Sequence, residues 1–82
     1  MPTRQEVYAA IDTEREYQNT LARNNIKEQR PMEQLALISK IVRDAEDWWY
    51  NEPGQLPMDF MRKIAGVAVR SMEENGAPPR VK

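Results

Sequence analysis

The sequence predicts an all-α protein in which a short N-terminal helix precedes an antiparallel helical hairpin, assembled as a homo-oligomeric helical bundle. Three observations lead there. Apolar residues recur at steps of three and four, prolines and the Asn75-Gly76 pair fall at the expected helix ends, and the second helix carries two apolar rows. Two rows exceed what a three-helix monomer of 82 residues can cover. The expected helices span about residues 3–23, 31–50 and 57–75, in a single domain 1–82 whose tail, 76–82, is extended.

Thr3 and Glu6 have the spacing of a capping box, so the first helix begins there. Val7, Tyr8, Ile11 and Leu21 lie on or near one side of it, but Glu14, Arg15 and Gln18 interrupt the stripe. Such a helix docks on the fold rather than forming its centre. The polar interruption has two readings, a polar pocket wall or an ordinary exposed and charge-laced surface. The helix is expected to fray near Arg23-Asn24-Asn25, because paired asparagines favour turns.

Pro31 suits the first turn of the second helix, where its missing amide has no partner to lose. From there Leu35, Ile38, Val42, Ala45 and Trp49 repeat at alternating steps of three and four. Leu37, Ile41 and Trp48 form a second row beside them. One row can pack within the subunit and the other against a neighbour. Asn51-Glu52-Pro53-Gly54 reads as a turn, and a connection this short implies an antiparallel hairpin.

Pro57 followed by Asp59 marks the third helix start, and Asn75-Gly76 with Pro78-Pro79 marks its end by a left-handed cap. Ile64 to Val69 contains no charge, which requires enclosure on most sides. Gly66 within it costs about 1 kcal/mol against alanine, so it reads as a close helix crossing.

Composition narrows the chemistry. The absence of cysteine and histidine removes disulfides, thiolate nucleophiles, imidazole bases and most zinc sites. Twelve basic against thirteen acidic residues leave a net charge of −1, which argues against general nucleic-acid binding. No stretch reaches the ~18 apolar residues of a membrane span. Met1-Pro2-Thr3-Arg4 lacks the apolar core of a signal peptide, so the expected location is the cytoplasm.

Asp44, Glu46 and Asp47 lie late in the second helix, and a hairpin would bring Asp59 near them as oxygens for a hard cation. The simpler reading is a solvated acidic face, with no metal or other cofactor. Trp48, Trp49 and Tyr50 point about 100° apart on a helix, so at least one reaches the surface or another subunit. Lys63, Arg70 and Glu74 share one side of the third helix, beside Arg62. They read either as an anion site or as an intrahelical Arg70–Glu74 pair.

A resemblance enters through Glu14-Arg15-x-Tyr17-Gln18, the run Arg62-Lys63-Ile64-Ala65-Gly66-Val67-Ala68-Val69-Arg70, and Met72-Glu73-Glu74-x-Gly76-Ala77-Pro78. These segments resemble a group of short phage and prophage proteins, some labelled similar to MazG-type nucleotide pyrophosphohydrolases. Those enzymes bind magnesium through Glu-x-x-Glu on one helix and Glu-x-x-Asp on the next. Here the position three after Glu33 is Ala36, and the third helix has no Glu-x-x-Asp, so the likeness implies the bundle rather than hydrolysis.

The architecture also resembles helical phage proteins that oligomerise and sequester nucleotide-derived signals of antiviral defence, which act in the host cell cytoplasm. That likeness implies a non-enzymatic sponge with no catalytic residue. The competing expectations are an inhibitor that binds a host defence protein and a MazG-like hydrolase. Phosphates need cationic forks and bases need an aromatic face. The expected ligand contacts are therefore Arg15, Tyr17, Arg62, Arg70 and Arg80, at a groove between subunits.

Overall fold

The protein is described by a computed structural model covering residues 1–21, 31–52, 54 and 57–81. Among these residues it holds three helices and no strand: α1 (Arg4–Thr20), α2 (Pro31–Asn51) and α3 (Met58–Asn75).

α1 starts as its capping box dictates. The Glu6 amide donates to Thr3 Oγ1 and the Thr3 amide to Glu6 Oε1, both at 3.1 Å. It ends earlier than expected. Leu21 is already extended, at φ −78° and ψ 130°, and its amide closes on the Gln18 carbonyl at 3.2 Å. The expected fraying at Arg23-Asn24-Asn25 lies outside the described residues. α2 opens on Pro31. α3 follows Pro57, whose carbonyl accepts from the Met61 amide at 3.1 Å. At its end Gly76 takes φ +116° and ψ 148°, rather than the expected left-handed helical cap. That backbone region is essentially confined to glycine.

α3 is the central element, packing on α1 through one side and on α2 through another, while α1 and α2 do not pack on each other. The end of α2 meets the start of α3 through the Trp48 and Phe60 rings, 5.7 Å apart and tilted by 52°. The start of α2 meets the end of α3 through Gln34, whose amide donates to Glu74 Oε1 at 2.7 Å.

Val67 is the one large apolar side chain fully buried among the described residues. The other buried side chains are polar: Glu14, Gln18, Gln34 and Arg70. Buried polar groups demand partners, and each of these side chains has at least one. Gln34 also accepts from Asn75 Nδ2 at 3.3 Å. Arg70 Nε donates to Glu74 Oε2 at 3.2 Å, which realises the intrahelical pair. The surroundings of Ile64 to Val69 follow the same division. Gly66 and Val67 are buried, whereas Ile64, Ala65, Ala68 and Val69 are half-buried, so one chain encloses the uncharged segment only in part.

The interruption of the α1 stripe is the docking face itself. Glu14 and Gln18 pack over Gly66 of α3, while Val7 and Tyr8 stay exposed. The reading of these polar residues as an ordinary exposed surface is thereby corrected. A glycine brings the α3 backbone close enough for polar side chains to lie flat on it, and the Glu14 carboxylate then accepts from both Arg62 and Gln18.

A candidate anion-binding groove

Because α1 and α2 flank α3 without touching, a groove of about 340 Å³ opens between them. α1 contributes Glu14, Tyr17 and Gln18 to one wall, which Leu21 just beyond the helix extends. α2 contributes Leu37, Lys40, Ile41 and Asp44 to the other, and Phe60, Lys63, Val67 and Arg70 of α3 make the floor. The floor and the α2 wall thus offer apolar surface to a flat ring and carry the ammonium and guanidinium groups of Lys40, Lys63 and Arg70.

The cations differ in how firmly they are engaged. Lys40 Nζ lies 3.0 Å from Asp44 Oδ2, an exposed pair one turn apart that competes weakly with a ligand. Lys63 Nζ stands 5.4 Å from the centroid of the Phe60 ring and has no carboxylate partner among the described residues. Arg70 is buried and bonded to Glu74.

Of the five residues expected to contact a ligand, the groove gathers Tyr17 and Arg70. Arg15 instead grips Glu73 with two bonds, Nε to Oε2 at 2.8 Å and Nη2 to Oε1 at 3.0 Å, and adds Asn19 at 3.1 Å. Arg62 donates to Glu14 at 3.0 Å and to Asp59 at 2.8 Å. Both arginines therefore fasten α1 to α3 and hold the groove wall in place. Arg80 is exposed in the tail and does not line the groove.

Lys40, Leu37 and Ile41 were not among the expected contacts. Their i, i+3, i+4 spacing with Asp44 was visible, but which side of α2 faces α3 was not. Among the described residues no three acidic groups come together in a way that could hold a metal ion. Among the described residues no helix is long and apolar enough to cross a membrane.

The Arg15–Glu73 fork has a pH signature. The hydrogen bond from Arg15 holds the Glu73 carboxyl below its ordinary value, partial desolvation opposes this, and the Arg15 charge adds to it. The Arg15 guanidinium is raised in turn, chiefly by the same bond. A carboxyl lowered in the folded state stabilises above its unfolded value, about 4.3, and loses that contribution as pH falls through the lower folded value. Glu73 is half exposed, so the contribution is at most about 1 kcal/mol. Thermal melts of the parent and Glu73→Gln should differ at neutral pH and converge as pH drops below about 4. A gap that persisted unchanged into acid would remove the ion pair as its cause.

No family profile, curated protein or solved structure matches the chain.

Proposed function

We propose that this chain is a non-enzymatic binding protein that sequesters a nucleotide-derived anion in the groove between α1 and α2, in the manner of the phage proteins it resembles. The observation that carries this reading is one groove joining an exposed tyrosine ring, Tyr17, to three cations, Lys40, Lys63 and Arg70, beside the apolar surface of Phe60 and Val67. A phosphate takes charge-assisted bonds from the cations, and a base stacks on the ring. At about 340 Å³ the groove is at the small end of ligand pockets, which suits one nucleotide unit. The Trp48–Phe60 and Gln34–Glu74 contacts support the antiparallel hairpin on which the binding surface rests. The working form is a homo-oligomer in the host cytoplasm.

Calorimetry with cyclic and ADP-ribose-type nucleotides tests the reading. A charge-assisted contact is worth about 1.5 to 3 kcal/mol, so Lys63→Ala should weaken binding by roughly tenfold or more. Lys63 is the cleaner probe, because Arg70 also supports the Gln34–Glu74 network. Affinity unchanged in Lys63→Ala, Arg70→Ala and Tyr17→Ala would remove the groove as the site. Tyr50, strongly exposed at the end of α2, favours one competing reading, an inhibitor that docks on a host defence enzyme. Absence of nucleotide binding together with a stoichiometric complex with such an enzyme would establish it. Magnesium-dependent turnover of a nucleotide would point instead to MazG-like hydrolysis.

A further inference from the structure

The other face of the α2–α3 pair is apolar and bare. On α2, Leu35, Ile38, Val42, Ala45 and Trp49 follow one another at steps of three, four, three and four. On α3, Met58, Met61, Ala65, Ala68 and Met72 repeat the same steps. This is the spacing of a helix seam packed knobs-into-holes against another helix. Neither stripe contains a charge. Within one chain they lack cover: Leu35 is 55% exposed, Val42 40% and Trp49 54%, and all three methionines of the α3 stripe are exposed. Between the stripes lies an apolar hollow of about 260 Å³, edged by Val42, Trp49, Met61 and Ile64.

The accessible area indicates how much cover is missing. A compact monomer of 9.6 kDa exposes about 5,100 Å². This chain exposes 6957 Å². The surplus over the whole chain, to which the exposed tail 76–81 also contributes, is roughly 1,900 Å², against the about 800 Å² that one partner contributes to a standard stable interface. The radius of gyration, 13.9 Å, likewise exceeds the roughly 11.7 Å of a compact chain of this length. Among the described residues one large apolar side chain is fully buried, little to set against the ordering of three helices.

We propose that a second copy of this chain covers this face, the two α2–α3 pairs closing about a two-fold axis into a four-helix bundle. The stripes complement each other as an isologous contact requires. The bulky Leu35, Val42 and Trp49 of α2 match the low relief of Ala65 and Ala68 on α3, so each copy supplies both knobs and holes. The groove is edged by other residues of α2, Leu37, Lys40, Ile41 and Asp44, and remains open in the dimer. The interface therefore stands whether or not the groove binds a nucleotide.

Sedimentation equilibrium on the full chain at micromolar concentration should give a dimer or an even multiple of it. Val42→Asp and Ala68→Asp should lose that species, whereas Tyr8→Asp on exposed α1 should keep it. A monomeric parent, or a dimer unaffected by both stripe variants, would overturn the proposal. Should the aspartates prevent folding, thiol labelling decides, since the chain has no cysteine of its own. Val42→Cys should be protected from a thiol reagent and become reactive on dilution, while Arg43→Cys, one residue round the helix, should react freely at every concentration. Equal reactivity of the two at micromolar concentration would equally overturn it.

Discussion

Gly66→Val should undock α1. A Cβ at Gly66 would stand 2.7 Å from Glu14 Cγ and 2.7 Å from Gln18 Nε2, closer than real side-chain carbons approach. The Gln18 amide is a flexible end and can shift, but Glu14 Cγ is anchored in mid-chain, and both side chains are buried. Overpacking of this kind costs about 1 to 3 kcal/mol, and the two γ-methyls of valine push it to the top of that range. The helix-propensity gain over glycine is at most about 1 kcal/mol for alanine and smaller for a β-branched residue. Alanine at Gly66 should therefore be mildly destabilising, and valine severely so.

A chain of this length has a total stability of only about 4 to 12 kcal/mol. Once undocked, the 17 residues of α1 should lose most of their helicity, since helical stability in proteins comes mainly from tertiary packing of one face rather than from propensity. Circular dichroism should record the loss of the α1 contribution, and hydrogen exchange should localise it to residues 4–20. Unaltered α1 protection in Gly66→Val would mean that the crossing is looser than these distances state.

Arg62→Ala should cost about 2 to 3 kcal/mol, the second largest effect expected. The Glu14 side chain is 6% exposed and takes its ionic partner from Arg62 Nε at 3.0 Å. Without it the carboxylate keeps only a long bond, 3.3 Å, from Gln18 Nε2. Stranding a buried charge costs about 3 to 5 kcal/mol. Arg62 is itself 36% exposed, however, so its removal admits water and lowers the figure. The Asp59 contact adds little, because that carboxylate is open to solvent.

Glu14→Gln in the Arg62→Ala background should recover much of the loss, since an amide has no charge to desolvate yet can still pair with Gln18. Chemical denaturation of the single and double variants would measure this. A double variant no more stable than Arg62→Ala alone would show that Arg62 acts by packing rather than through Glu14.

Much of the fold was written in local chemistry. The capping box of Thr3 and Glu6, the prolines at 31 and 57 and the glycine at 76 act within a few residues of themselves, so they set the helix ends with no knowledge of the rest of the chain. Gly66 could be read as a close crossing because a mid-helix glycine has few other justifications. The two apolar rows of α2 were equally plain.

What local pattern could not supply was assignment. Periodicity says that a helix has two faces but not which neighbour each one meets, and here the Leu37–Ile41–Trp48 row turned toward α3 while the longer row was left open. The same holds for the arginines. A guanidinium reads alike whether it awaits a phosphate or is held by a carboxylate 58 positions away. Only the docking of α1 on α3 joined Arg15 to Glu73 and Arg62 to Glu14, leaving Tyr17, Lys40, Lys63 and Arg70 around the groove. The sequence by itself determined three helices, the starts of all three and a close contact at Gly66, because those depend on backbone preferences of neighbouring residues. The tertiary structure alone decided that polar Glu14 and Gln18 are buried and that Leu35, Val42 and Trp49 are not, because burial depends on which surfaces meet in space.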